Sequence, residues 1–192
     1  VTVEIPLTRG LVALVDDADA DLLRRTSWHA IPGCYTWYAS RGIQRADGRS
    51  TTQLMHKMLT GWPRTDHING DGLDNQRANL RPATAGQNVA NARKGGGSSR
   101  FKGVSWWKRS GRWQAYIMID GHQAFLGHFD AEEDAARAYD AEARQLFGEF
   151  ARLNFPGPGE RSAIGDPTPR IRRTTSTSWR HERLRRKAGA CD

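Results

Sequence analysis

Cysteine is almost missing. The 192-residue chain has two, Cys34 and Cys191, near opposite ends. That excludes a disulfide framework and any cysteine-rich zinc site, so zinc is not expected. A reducing compartment follows, and the cytoplasm of a bacterial or phage-infected cell is the expected location. Long apolar runs are missing too. No stretch approaches the ~20 residues that span a bilayer, and mean hydropathy is −0.71, so no membrane partner is expected. The opening segment from Val1 to Pro6 has no basic stretch followed by an apolar one, which argues against a secretory signal. Acidic residues are in deficit: 21 Asp and Glu stand against 29 Lys and Arg, for a formal charge of +8. Such a balance points to a polyanion, most often nucleic acid. Nine Lys and Arg against four Asp and Glu lie from Gly157 onward, leaving +3 for residues 1–156. A basic tail on a nearly neutral body therefore accounts for much of the charge.

The pattern along the chain predicts an α+β fold in successive zones. Residues 1–60 form a small β-rich support region, with strands expected at 11–15 and 35–39. Helices are expected at 17–23, capped by Asp16 or Asp17, and at 54–59. In residues 61–93, Asn69-Gly-Asp-Gly72 is a dense turn signal between two short extended segments. A helix follows, with Thr84 as its cap. Residues 94–99, Lys-Gly-Gly-Gly-Ser-Ser, read as a flexible linker. Residues 100–156 predict three strands, at 103–106, 112–119 and 123–129. Asp120-Gly121 marks a hairpin. A helix over 131–146 follows, with Asp130 and Glu133 as a capping box. The expected product is a three-stranded antiparallel sheet with one helix packed across it. Residues 157–192 read as a disordered basic tail.

Chemistry concentrates in the run from Thr65 to Arg81. It sets a carboxylate, Asp66, beside an imidazole, His67, at a strand end. A helix bearing Asn88 and Asn91 comes after. A hard divalent ion takes oxygen ligands and keeps several waters. One Asp carboxylate and one Asn amide oxygen suit it, with substrate phosphate completing the shell. A neighbouring His could take the proton of an attacking water. An EF-hand fails on spacing: counted from Asp66, the third and fifth loop positions are Ile68 and Gly70. Each element alone is bland, since an Asp-His pair or an Asn-Gly turn is usually surface structure. Their combination and order are the signal.

The pattern Asp66-His67, Asp74-Asn75, Asn79-Leu80-Arg81 and Asn88 resembles the ββα-metal core of HNH endonucleases, in the intron-encoded and phage homing subgroup. His56, followed by Lys57, matches a His-basic pair that precedes that core. The resemblance implies His67 as general base, and Asp66 and Asn88 as ligands of Mg²⁺ or Mn²⁺. It implies that Asn79 braces the loop and orients His67, and that Asn75 supports the turn. Lys57 and Arg81 would hold phosphates. Asn88 stands where the family name expects His, and Lys57 where Arg is commoner.

A second series comprises Phe101-Lys-Gly-Val-Ser-Trp-Trp107, Gly111-Arg-Trp-Gln-Ala115, Phe125-Leu-Gly-His-Phe-Asp130 and Leu153-Asn-Phe-Pro156. It resembles the DNA-binding domain of plant ethylene-response (Apetala-type) factors, which lay a sheet in the major groove. Carried over by position, the DNA-facing residues are Lys102, Ser105, Trp107, Arg112, Tyr116, Met118, Gln123, Phe125 and His128. Ser105, Tyr116 and Met118 replace charged residues, so base preference should differ from the plant proteins. Of the adjacent Trp106 and Trp107, one is expected packed and one exposed. Together the resemblances imply a site-specific endonuclease acting on double-stranded DNA as a monomer or weak dimer. The alternative is a non-catalytic DNA-binding regulator with a relic core. RNA is disfavoured, because A-form duplexes hide the major groove from a sheet.

Overall fold

A computed structural model describes residues 1–164. At the N-terminus, β1 (Thr2–Pro6) pairs antiparallel with β2 (Val12–Asp16), with Glu4 opposite Leu14. Alternation sends Ile5, Ala13 and Val15 inward, and α1 (Asp17–Arg24) lays Ala20 and Leu23 on them. A meander of β3 (His29–Pro32), β4 (Trp37–Gln44) and β5 (Ser50–Leu54) follows. Then comes the short α2 (Met55–Thr60), stopped by Gly61 in the left-handed region at φ +67. Trp28, Leu23 and Met55 anchor one apolar cluster that joins β1 to β4 with α1 and α2.

The middle of the chain is built on that cluster. β6 (Thr65–His67) pairs antiparallel with β7 (Leu80–Pro82), setting Asp66 opposite Arg81. α3 (Ala85–Asn91) follows. The expected Thr84 cap is present as a reciprocal box: Gln87 N donates to Thr84 Oγ1 at 3.2 Å, and Thr84 N to Gln87 Oε1 at 2.8 Å. The long β6–β7 loop is pinned to β2, with Leu14 N donating to Leu73 O at 2.9 Å and Asn75 N to Leu14 O at 2.7 Å. Arg77 adds a two-bond fork to Asp19 of α1, each bond 2.8 Å. The N-terminal strands thus hold the loop of the candidate site.

The C-terminal unit is a three-stranded antiparallel sheet, β8 (Val104–Trp107), β9 (Arg112–Ile119) and β10 (His122–Phe129), with β9 central. The hairpin turn falls at Asp120 (φ +48) and Gly121 (φ +84), as the Asp-Gly signal requires. α4 (Glu132–Phe147) buries Ala135, Ala136, Tyr139 and Ala143 against the sheet. Its small residues permit the close approach. Asp140, also on that face, is 1% exposed and accepts hydrogen bonds from Asn154 N (2.8 Å) and Phe155 N (2.7 Å), which fixes the chain leaving the helix.

Three expectations need correction. Asp130 does not cap α4: Ala131 is the N-cap residue, and the Asp130 carboxylate accepts from Arg112 Nε at 2.8 Å. The 94–99 linker is tied down. Lys94 N donates to Ala163 O (3.1 Å), Trp106 N to Ser98 Oγ (2.8 Å), and Ser99 Oγ to Glu132 Oε1 (2.6 Å). Residues 157–164 are ordered into the body, where β11 (Arg152–Leu153) pairs in parallel with β12 (Arg161–Ser162) and Ala163 is buried. The rest of the expected basic tail lies outside the described residues, as does Cys191.

Candidate functional site

A cleft of about 360 Å³ opens between β4, β6 and α3. Asp66, His67 and Asn88 all line it, with Tyr38, Cys34 and Asn91. The strand end and the helix therefore bring together the three residues that the motif singles out. Among the described residues no three His, Cys, Asp or Glu side chains cluster as a metal site. A cation would rest on one carboxylate and one amide, with water and phosphate oxygens beyond them. The donor set fits such an ion in one respect: Asn88 Oδ1 is buried and has no hydrogen-bond partner among the described residues, an arrangement that usually signals a missing ligand. Asp66 Oδ1 accepts one bond, from Asn91 at 2.8 Å, and keeps a lone pair.

His67 is 6% exposed. Its Nε2 lies 3.5 Å from Asn75 Oδ1. Asn75 spends its own amide hydrogens on Leu73 O (3.1 Å) and Gly72 O (3.5 Å). Its oxygen can only accept, so Nε2 carries the proton and Nδ1 the lone pair. Burial lowers the His67 pKa, opposed by the Asn75 bond and by the Asp66, Asp71 and Asp74 charges. The imidazole is therefore neutral at neutral pH. This corrects one role. Asn79 braces the loop, donating to Asn69 Oδ1 (3.0 Å) and Asp74 O (2.8 Å), but Asn75 is what holds the His67 ring. A close approach supports that turn: a Cβ at Gly72 would stand 2.5 Å from Trp37 O and from the Tyr38 ring.

His56, also 6% exposed, packs its ring edge-on against His67 with centroids 4.9 Å apart, and against Tyr38 at 5.7 Å. Burial, with the neighbouring His67 and Lys57, pushes its pKa down to about 3. Both imidazoles are neutral in the fold, whereas an unfolded chain protonates them near pH 6.5. The unfolded state then binds more protons, so this part of the stability is complete above about pH 6.5. It is lost as pH falls toward 3, by up to ~4–5 kcal/mol from His56 alone. Urea titrations at pH 7.0, 5.5 and 4.5 should give steadily lower stability. His56→Phe should flatten that slope, and an equally steep slope in the variant would remove His56 as its cause.

Two expected phosphate or DNA contacts are placed inward. Arg81 is 9% exposed. Its Nε donates to Asp66 Oδ2 at 2.9 Å, its Nη1 to Glu149 Oε2 at 3.1 Å, and its guanidinium stacks 3.5 Å over Phe150. Its charge pairs and the Phe150 ring hold it in the interior against the cost of desolvation. Lys102 turns back onto α3, donating to the carbonyls of Val89 (3.2 Å), Ala90 and Ala92 (2.7 Å). Those are carbonyls at a helix C-terminus, which attract a cation. Burial lowers its pKa to about 7. Lys57 is exposed, where it can meet solvent or a ligand.

The outer face of the sheet carries the remaining residues in register. Ser105 stands opposite Gln114, and Gln114 opposite His128; Trp107 faces Arg112, Tyr116 faces Phe125, and Met118 faces Gln123. Gln114, which donates to Ser105 Oγ at 2.8 Å, belongs to this face and was absent from the expected set; strict alternation from Arg112 would have found it. Phe125, 59% exposed, leads the apolar surface there. Trp106 and Trp107 do not divide into packed and exposed: they are 39% and 42% exposed, and Trp106 is edge-on to Trp113 at 5.0 Å. Asn91, Arg152 and Tyr38 are site residues that sequence reasoning did not assign.

Among known proteins, no family model matches the chain. Over 92 residues it is 36% identical to APETALA2-like protein 2 of Oryza sativa subsp. indica, covering 48% of this chain and 20% of that protein. Over 84 residues it is 46% identical to ethylene-responsive transcription factor 3 of Nicotiana tabacum, covering 41% and 36%. Over 89 residues it is 37% identical to an uncharacterised HNH endonuclease of Acanthamoeba polyphaga mimivirus, covering 46% of each. The chain thus spans less than half the length of these curated relatives, and it is similar in part to plant transcription factors and in part to a viral HNH protein.

Proposed function

We propose that this chain is a metal-dependent DNA endonuclease of the HNH homing type, whose C-terminal sheet binds the duplex through its outer face. The convergence of Asp66, His67 and Asn88 on one cleft, with Asn88 Oδ1 buried and unpartnered, carries this reading. Asp66 and Asn88 would hold Mg²⁺ or Mn²⁺, which when bound polarises a phosphodiester and stabilises its leaving oxygen. His67 Nδ1 accepts the proton of the attacking water, with Nε2 anchored on Asn75. Lys57 gives an exposed cation for a phosphate. On the sheet, Arg112, Gln114, Gln123 and His128 offer hydrogen-bonding groups to base edges, while Trp107 and Phe125 offer apolar contact. One core per chain nicks one strand, and a dimer would cut both.

The test is nicking of supercoiled plasmid in Mg²⁺ and in EDTA, beside a gel shift. The expected result is nicking in Mg²⁺ only, abolished in Asp66→Ala. A second reading draws on the similarity to transcription factors and on the Arg81–Asp66 pair, which already occupies part of the carboxylate. In it the protein is a DNA-binding regulator with a silent cleft. Plasmid that is shifted but nicked in neither Mg²⁺ nor Mn²⁺ would establish that reading and overturn the first.

A further inference from the structure

We propose that the nuclease cleft is completed by the DNA-binding unit, with Arg152 as a positioning residue that orients Asp66 through Asn91. The inference rests on the nuclease reading for its consequence and on hydrogen-bond geometry for its substance.

Arg152 begins β11, just beyond α4, and is 5% exposed. Its Nε donates to Asn91 Oδ1 at 3.0 Å, its Nη2 to Ile68 O at 3.4 Å and its Nη1 to Ser162 O at 3.2 Å. Asn91 Nδ2 in turn donates to Asp66 Oδ1 (2.8 Å), Asp66 Oδ2 (3.0 Å) and His67 O (2.8 Å). A primary amide has one accepting end and one donating end. With Oδ1 fixed on a guanidinium, only Nδ2 can face the carboxylate. The flipped amide would set oxygen against carboxylate oxygen and amide hydrogens against Arg152. Arg152 therefore locks, from the side opposite Asp66, one of two orientations that are nearly identical in shape.

A second arm arises three residues earlier. Glu149 Oε2 accepts from Arg81 Nη1 at 3.1 Å, and Arg81 Nε donates to Asp66 Oδ2 at 2.9 Å. Both donors on Asp66 are thus set by one turn of the C-terminal unit. Retaining a buried guanidinium costs several kcal/mol unless its bonds are made. Burial, with Arg93 and Arg161 nearby, lowers the Arg152 pKa to about 10. Packing alone would be served by an aliphatic residue at this position. The arrangement is better explained by what Arg152 orients.

The experiment uses the full 192-residue chain. Side-chain amide resonances of Asn88 and Asn91 are followed by NMR during a Mn²⁺ titration, beside nicking and gel shift. In Arg152→Met the Asn91 amide resonance should move. Broadening of the Asn88 amide should need on the order of tenfold more Mn²⁺, and nicking should slow by ~10–100-fold. Plasmid binding should be unchanged. Arg152→Lys, which keeps the charge without the fork, should fall between. Arg144→Met, which loses an exposed arginine of the same unit bonded to Glu160 at 2.8 Å, should match wild type throughout. A folded Arg152→Met with wild-type Asn91 resonance overturns the proposal, and so does an unchanged Mn²⁺ titration. If Arg152→Met does not fold, Arg152→Lys is judged by the same criteria. Wild-type protein that neither takes up Mn²⁺ nor nicks would overturn the nuclease reading, and the Asn91 resonance then decides the role of Arg152 by itself.

Discussion

His67→Ala is expected to slow plasmid nicking by at least ~100-fold while leaving the gel shift unchanged. The size of the effect follows from the loss of the group that takes the water proton. Other features of the cleft, including Asp66 and Asn88, remain in place. Binding is spared because the outer face of the β8–β10 sheet is separate from that imidazole. The pH profile adds a second handle. Burial lowers the His67 pKa below its ordinary value of 6.5. The base is neutral above its folded pKa and lost below it, so the acid limb of the nicking rate should lie below pH 6.5 and activity should hold through pH 7. Asn75→Ala should restore access to the other tautomer and cost less than His67→Ala. Nicking by His67→Ala at the wild-type rate would remove His67 from the mechanism.

Gly103→Ala should be the most damaging glycine-to-alanine change among the described residues. Gly103 has φ +73, and a Cβ there would lie 2.0 Å from the Tyr139 ring and 2.7 Å from Tyr116 O. Tyr139 is 4% exposed beneath the sheet and cannot retreat. Overpacking of this kind, added to an unfavourable backbone region, costs ~3–4 kcal/mol. For a chain of this size that is a fall in Tm on the order of 10 °C. The damage reaches further than the sheet, since Lys102, the preceding residue, caps α3. Asn88 and Asn91 ride on that helix, so nicking should fall with DNA binding. A melt within about 2 °C of wild type would show that the junction has more room than the geometry allows.

What the sequence revealed was local in its physics. The Asp120-Gly121 hairpin and the Thr84 cap need only neighbours in the chain, and each is where it was expected. The outward-facing set of β8, β9 and β10 is legible for the same reason wherever strands are regular. The misses involve partners far apart in sequence. Lys102 looked like a surface cation because the carbonyls that receive it lie across a Gly-rich segment. Arg81 looked available to phosphate because Glu149 and Phe150 come 68 or more residues later. Asp130 had the right residue type for a cap, but an arginine on a neighbouring strand competes for its carboxylate. Residues 161–163 carry no strand signal of their own, and are ordered by pairing with β11 and by a bond from Arg161 to Ile68 O at 2.9 Å. β1, β3 and β5 were not expected, since these four- and five-residue segments become strands by pairing with β2 and β4.

The tied segment at 94–99 bears on how such a protein can be taken apart. Lys94 is fastened to Ala163 and Ser99 to Glu132, so the two halves share a joint at both ends of the C-terminal unit. A stiff joint works as a ruler: the cut should fall at a set number of base pairs from the bound sequence, instead of scattering as it would on a slack tether. It also defines where a graft can be made. Exchanging the sheet for another recognition module at the glycine run would carry away Glu149 and Arg152. A chimera that retargets the cut should replace only the outward side chains of β8, β9 and β10 and leave the frame from Lys94 to Ala163 intact.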